Sequence, residues 1–221
     1  MANNRLAVVT TGGTAEPIDD VRYVTNFSTG KFGHAIAKVL ADLGYTVNLL
    51  TARSSMWLSD HPGVTKTPFT SAKSLQDLVL QFEEPAIIMM AAAVSDYTTI
   101  PIEGKISSNQ EELVIRMERT PKILPLLRNR FGPDTFIVGF KLLSGVSREE
   151  LIRVAQKQLR DNNLDLVVAN DLQHLKDGMH PLIVITPEGS IIDFSDTREV
   201  VAQQLAKLVH ERSILKTFWS S

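Results

Sequence analysis

The run Thr10-Thr11-Gly12-Gly13-Thr14-Ala15-Glu16-Pro17-Ile18-Asp19-Asp20-Val21-Arg22-Tyr23-Val24-Thr25-Asn26-Phe27-Ser28-Thr29-Gly30-Lys31-Phe32-Gly33-His34 decides how this chain folds. It follows a short apolar run, Leu6 to Val9, that reads as a buried strand. Gly12 and Gly13 end that strand and let backbone N–H groups face outward. Further on, Ser28-Thr29-Gly30-Lys31 opens a helix with Ala35, Ile36, Val39, Leu40 and Leu43 on one face. A helix N-terminus preceded by small hydroxyl residues suits an anion, usually phosphate. One strand-to-helix crossover therefore carries two candidate phosphate-binding turns.

The generic nucleotide motifs do not fit. A P-loop needs Gly-x-x-x-x-Gly-Lys-Ser/Thr, whereas Gly30-Lys31 is followed by Phe32 and position 25 is Thr25. The dinucleotide fingerprint Gly-x-Gly-x-x-Gly is not matched by Gly12-Gly13 and the Pro17-containing insert. The plain alternative is an ordinary strand, loop and helix. Loops beyond about 12–15 residues inside a compact domain are usually functional or disordered, and this one carries Arg22, Asn26 and Lys31 with no low-complexity run.

The 221 residues suit one domain, 1–221, with 43% hydrophobic and 22% charged residues. A formal net charge of −2 gives no bulk attraction to nucleic acid or an anionic membrane. Cysteine is absent, which removes disulfides, thiolate catalysis and Cys-ligated metals. Residues 1–9 lack the apolar core of a signal peptide, and no apolar run reaches about 18 residues. A cytoplasmic protein is expected.

Along the chain, apolar strand-like runs alternate with helical patterns. Strands are expected at 6–11, 45–51, 86–94, 135–140 and 164–169, and helices at 30–43, 71–82 and 147–162. Residues 181–186 and 191–194 flank Pro187-Glu188-Gly189-Ser190 as a hairpin, and 196–212 reads as a closing amphipathic helix with Asp196 as N-cap. This alternation predicts an α/β fold with a doubly wound, mostly parallel sheet and an antiparallel edge. Residues 98–117 break the rhythm with two β-prone arms and a polar middle, a flap that covers the site or reaches a second subunit.

Ligands in such sheets sit outside the carboxyl ends of the strands. The residues there are 11–14, 51–54, 91–96, Phe140-Lys141 and Asn170-Asp171. Ala91, Ala92 and Ala93 permit close approach of a flat ring, or simply close packing. Asp96 accepts from ribose hydroxyls or caps a turn. Lys31 and Lys105 are cations of phosphate-binding type. None of the five histidines, His34, His61, His174, His180 and His210, pairs at metal-ligand spacing, and no Gly-x-Ser-x-Gly elbow occurs.

Thr11-Gly12-Gly13-Thr14, Glu16-Pro17-Ile18-Asp19, Val21-Arg22, Asn26, Ser28-Thr29-Gly30-Lys31 and Gly33 resemble phosphopantothenoylcysteine synthetase of coenzyme A biosynthesis. So do Ala92-Ala93-Val94-Ser95-Asp96-Tyr97, Gly104-Lys105-Ile106, Thr120-Pro121-Lys122-Ile123-Leu124, Val138-Gly139-Phe140-Lys141 and Ala169-Asn170-Asp171. The resemblance covers nearly the whole chain in order. With no flavin-dependent decarboxylase segment before Met1, it implies the free-standing bacterial form with a Rossmann-like fold. It implies activation of 4′-phosphopantothenate by CTP, or ATP, with Mg²⁺, then coupling to L-cysteine. No protein residue is expected to ligate the metal.

On the matching positions, the resemblance gives Lys105 to acyl-nucleotide formation, Asn26 to holding the acyl-nucleotide, and Arg22 to substrate and dimer contacts. It gives Gly12, Gly13, Ser28, Thr29, Gly30, Lys31, Ala91, Ala92, Asp96, Thr120, Pro121, Phe140 and Lys141 to the nucleotide, and Ala93 to the substrate. The flap 98–117 becomes a strap across a homodimer interface. Three positions depart: Ser107, Gln158 and Asn162 stand where CTP-using members often carry lysine, and Lys141 is a candidate replacement. The alternative reading is a non-catalytic nucleotide- or flavin-binding module of the same fold, which needs neither Lys105 nor Asn26.

Overall fold

The computed structural model describes residues 5–58 and 60–219; the extreme ends of the expected 1–221 domain, and Ser59, lie outside the described residues. β1 (Leu6–Thr11) comes first and is buried from Ala7 onward. The loop after it is not irregular. It folds back as a small antiparallel hairpin, β2 (Ala15–Pro17) on β3 (Tyr23–Thr25). α1 (Lys31–Asp42) then ends in the expected glycine turn, with Gly44 N donating to Ala41 O at 2.9 Å and Tyr45 N to Leu40 O at 3.1 Å.

β4 (Thr46–Ala52) leads to β5 (Val64–Phe69), a strand that the periodicity does not reveal. Its Pro68 argues against a central strand, but β5 is the outermost strand of the sheet, where a missing N–H is tolerated. α2 (Ala72–Leu80) is capped by Ser71 Oγ, which accepts from Ser74 N at 3.2 Å. β6 (Ile87–Met90) is shorter than the apolar run 86–94, because the chain leaves the sheet at Ala91. β7 (Tyr97–Thr99) pairs with β8 (Met117–Arg119), so the ladder holds only the two ends of the expected flap 98–117 and runs past them, and 100–116 has no regular structure.

α3 (Leu124–Phe131), β9 (Phe136–Leu143), α4 (Arg148–Asp161) and β10 (Leu166–Asp171) follow. The expected hairpin is β11 (Leu182–Ile185) with β12 (Ile191–Phe194). α5 (Arg198–Trp219) starts later and ends later than expected. Asp196 is therefore not its N-cap. It stands one residue further out, where its carboxylate accepts from Thr197 N at 2.6 Å.

The main sheet has eight strands in the order β12-β11-β10-β9-β6-β1-β4-β5. β10, β9, β6, β1, β4 and β5 are parallel, and β11 and β12 add the antiparallel edge. α1 and α5 cover one face through Ile36, Leu40, Val201, Leu205 and Val209. α2, α3 and α4 cover the other through Leu75, Val79, Leu127, Leu151 and Leu159. Burial on both faces explains the unbroken apolar strands. Each large core side chain such as Leu49 or Ile88 contributes about 1.5–3 kcal/mol by leaving water. No helix among the described residues is long and apolar enough to cross a membrane.

Candidate active site

The strand order reverses between β1 and β6, which places the binding crevice at their carboxyl ends. Beyond β1 the chain stays beside the segment that leaves β6. Ala93 N donates to Gly12 O at 2.8 Å and Thr14 N to Ala93 O at 3.2 Å. Thr10 Oγ1 accepts from Ala92 N at 3.0 Å, and Thr14 Oγ1 from Ser95 N at 2.9 Å. Thr10 and Thr14 are fully buried, so these bonds are shielded and they fix Ala91, Ala92 and Ala93 as a half-buried wall. Asn26 reaches the same wall, with Nδ2 donating to Ala93 O at 3.3 Å. The hairpin loop lies so close that a Cβ on Gly13 would fall 2.6 Å from Asn26 O.

The start of α1 is pinned from below by its carbonyls. Thr11 Oγ1 donates to Gly30 O at 2.8 Å and Ser55 Oγ to Thr29 O at 3.1 Å. His34 Nδ1 also donates to Gly30 O, at 3.0 Å. The N-cap is Gly30 itself, and no side chain caps the helix. Neither Ser28 nor Thr29 serves as the cap, and Lys31 N is 3.5 Å from Thr29 Oγ1. Lys31 N donates to Thr29 Oγ1, and the N–H groups that follow it in the first turn of α1 remain for an anion, with the exposed Lys31 side chain beside them.

A second cluster ties the flap to the hairpin. The Asp19 side chain is fully buried, and it accepts from Val21 N at 2.9 Å, Arg22 N at 2.7 Å, Arg22 Nη1 at 2.5 Å and Ile106 N at 3.1 Å. Burial works to raise its pKa, but the backbone N–H groups and the Arg22 charge outweigh that and hold it below the usual carboxylate range. Arg22 Nη1 also donates to Ile106 O at 3.3 Å. Gly104 N donates to Asp20 Oδ2 and Asp20 N to Gly104 O, both at 3.1 Å. Lys105 therefore sits between two tethered residues with its own side chain exposed. Below it, the buried Glu16 accepts from Ala72 N at 2.8 Å and Thr98 Oγ1 at 2.9 Å, which locks the hairpin to α2 and β7.

The other expected residues are placed differently. Asp96 is exposed, but its carboxylate pairs with Lys122 Nζ rather than standing open. Thr120 is buried and donates to Ser95 O at 2.6 Å, so it braces the turn, while Pro121 is exposed. Phe140 meets Phe32 edge-on at 6.4 Å, and Phe32 packs on His180 at 4.1 Å. Burial pushes the His180 pKa down to about 4, and Arg198 adds to that. Lys141 is half-buried. Gln158 Nε2 donates to Phe140 O at 3.3 Å, and its Oε1 is buried without a partner among the described residues. Asn162 Nδ2 bonds to Gln158 O at 2.8 Å, and Ser107 Oγ accepts from Asn109 N at 3.2 Å. Asp171 is buried, and its carboxylate accepts from Val146, Gly145 and Gln173 N–H groups, which lower its pKa and hold the loop after β9.

Sequence reasoning missed Asp19, Ser55, Lys122 and Phe32 as parts of this arrangement. Asp19 and Lys122 stand inside the quoted runs, and Ser55 falls one residue past the strand end considered. Among the described residues, no group of three or more His, Asp or Glu side chains is placed to hold a metal ion.

Comparison with known proteins agrees with this fold. The bifunctional coenzyme A biosynthesis protein CoaBC of Methanocaldococcus jannaschii is 32% identical over 208 residues, 93% of this chain and 50% of that protein. The chain spans about half the length of the curated relatives it matches. The DNA/pantothenate metabolism flavoprotein structure from Streptococcus pneumoniae is 30% identical with a TM-score of 0.84, covering 94% of this chain and 99% of that one. The C-terminal domain of a CoaBC is 28% identical with a TM-score of 0.78, covering 94% and 95%. Over residues 2–212 the sequence matches one family throughout, and the chain belongs to it: the DNA/pantothenate metabolism flavoprotein C-terminal domain family.

Proposed function

We propose that this chain is a phosphopantothenate–cysteine ligase. In the first step the carboxylate of 4′-phosphopantothenate attacks the α-phosphate of a nucleoside triphosphate. An acyl-nucleotide forms and pyrophosphate leaves. In the second step the amine of L-cysteine attacks the acyl carbon, loses a proton and displaces the nucleoside monophosphate, forming the amide.

The observations that support this reading are an uncapped helix start and the Asn26 amide beside the switch point, and a Lys105 turn tethered to the hairpin that leads to Asn26. A binding module has no need of the last two. The relatives' names, coenzyme A biosynthesis proteins, support the same chemistry. We assign the nucleotide to both places, a phosphate to the α1 start with Lys31 and the base and ribose to the wall 91–93 with Asp96, Phe140 and Lys141. Lys105 meets the charge that builds on the transferring phosphoryl oxygens. Asn26 donates to the oxyanion formed when cysteine attacks. Arg22 has Nη1 committed to Asp19 and Ile106 O. Its side chain is 36% exposed and keeps Nη2 and Nε for substrate or a second subunit.

CTP is the preferred nucleotide, with ATP as the second choice. Mg²⁺ enters as part of the metal–nucleotide substrate. The protein works in the cytoplasm as a homodimer joined through the flap, whose Ile100, Ile102 and Val114 are 75%, 56% and 71% exposed. The test is pyrophosphate release with CTP or ATP and 4′-phosphopantothenate, with and without L-cysteine. Absence of release with both nucleotides refutes the ligase reading.

A further inference from the structure

Lys105 lies on a long excursion from the sheet, in a stretch with neither helix nor strand. A lysine there has a flexible stem and an exposed head, so something must set where its ammonium stands. Its two neighbours are held in an unusual way. Both main-chain polar groups of Gly104 bond to Asp20, the N–H to Oδ2 and the carbonyl to Asp20 N. Both main-chain polar groups of Ile106 bond to the Asp19–Arg22 pair, the N–H to Asp19 Oδ2 and the carbonyl to Arg22 Nη1. Ile102 N adds a bond to Ile18 O at 3.0 Å. Fixing residues 104 and 106 fixes the backbone at 105, and with it the direction in which the lysine leaves the chain.

Asp19 is the hub of this arrangement. Two of its four donors belong to its own turn, Val21 N and Arg22 N, and any Asx turn would make such bonds. The other two are the Arg22 side chain through Nη1 and, from beyond the turn, Ile106 N, and both converge on Oδ2. The carboxylate is fully buried and lies under the arginine that faces outward. One oxygen therefore orients Arg22 and anchors the lysine turn at the same time.

We infer that Asp19 is a positioning residue for acyl-nucleotide formation: its buried carboxylate holds the 104–106 turn, and so the Lys105 ammonium, on the hairpin that carries Arg22 and Asn26. The inference rests on the ligase reading. It places the cation of the first step and the amide of the second on one body, joined through Asp19 rather than through the sheet. A displacement of about 1 Å at such a group can cost about a hundredfold in rate.

The test is Asp19→Asn, which keeps the shape and one accepting oxygen but turns an N–H₂ group toward Ile106 N and Arg22. Amide hydrogen exchange at Ile106 is expected to accelerate about tenfold or more, with exchange in the core strands unchanged. In pyrophosphate release, kcat is expected to fall about a hundredfold while KM for the nucleotide stays within about threefold, the signature of an interaction made in the transition state. Combined with Lys105→Gln, the Asn substitution is expected to cost at least about tenfold less than it does alone, because the lysine it positions is gone and only its hold on Arg22 remains to be lost.

Unchanged exchange at Ile106 overturns the inference. So does accelerated exchange with normal kcat, and so do penalties that multiply in full in the double variant. If the Asn substitution fails to fold, Asp20→Asn, which loosens only the exposed Gly104 arm, is expected to show the same pattern at smaller size, and a normal kcat with loosened Gly104 exchange overturns the inference. Absence of pyrophosphate release from the unmodified protein is a separate result. It removes the ligase reading, and this inference with it.

Discussion

Replacing Gly30 with alanine tests the phosphate cradle without touching its charge. Gly30 has φ 72°, in the left-handed region, where an L side chain costs about 1–2 kcal/mol. The new methyl would also fall 2.6 Å from Ser55 Oγ and 2.9 Å from Ser55 Cβ. Ser55 is 1% exposed and has no solvent to turn into. Relieving the overlap means displacing it, at about 1–3 kcal/mol for overpacking. Displacement also breaks its bond to Thr29 O, worth about 0.5–1.5 kcal/mol. The expected loss is about 2.5–6.5 kcal/mol in denaturant unfolding. Gly44→Ala is the control, because φ there is 88° but the methyl would meet only the end of the Arg5 side chain. It should cost about 1–2 kcal/mol, the backbone strain alone. Adding Ser55→Gly to Gly30→Ala should restore about 1–3 kcal/mol by removing both obstructing atoms. In calorimetry, Gly30→Ala should weaken nucleotide binding about tenfold, or about 1.4 kcal/mol. If Gly30→Ala costs no more than Gly44→Ala, or if Ser55→Gly gives no rescue, the account of Ser55 as the wall of the cradle is wrong.

Three further outcomes are expected. Asn26→Asp loses the donor to Ala93 O and puts a negative charge where an oxyanion forms, so mass spectrometry should find the acyl-nucleotide accumulating while amide formation falls about a hundredfold, near 3 kcal/mol; normal ligation would refute the role. Light scattering at micromolar concentration should report a dimer, and a dimer that persists after Ile100→Glu with Val114→Glu would show that the flap is not the interface. His180, with its pKa lowered to about 4 from 6.5, stays neutral in the fold while the unfolded chain takes up a proton, so stability should rise between about pH 4 and 6.5. That slope should flatten in His180→Gln, and an unchanged slope would assign it to another group.

Much of the sheet is legible in the sequence because its strands are buried on both faces. Runs such as Ile87 to Met90 and Leu182 to Ile185 have no polar alternation to confuse with anything else. β5 escapes notice for the complementary reason. As an edge strand it needs only one row of ladder bonds, so Val64-Thr65-Lys66-Thr67-Pro68-Phe69 can carry lysine, threonine and proline and still pair with β4. The short hairpin β2–β3 is hidden by its length. Three residues per strand give no periodicity, and its stability comes from the buried Glu16 bonding to α2 and β7, a contact between residues far apart in the chain.

The site divides along a similar line. Backbone requirements leave marks in sequence. Gly12 and Gly30 take positive φ, and a Cβ on Gly13 would strike the hairpin loop, so these turns demand glycine and announce themselves by it. Polar side chains are harder to read, since one carboxylate has the same symbol whether it meets solvent, substrate or another turn. Asp96 reads as a ribose acceptor or a turn cap and is paired with Lys122. Arg22 reads as a group reaching outward, and one of its nitrogens turns inward to Asp19 and Ile106 O. Asp19 draws no role from the sequence because its partner Ile106 lies 87 positions away. Yet the short string Asp19-Asp20-Val21-Arg22 makes physical sense only with that partner present: two adjacent carboxylates and a guanidinium on one tight turn would repel or pair idly in solvent, and here each has a distinct bond to the turn around Lys105. The motif is thus half of an interface within the chain, and its other half is Gly104-Lys105-Ile106.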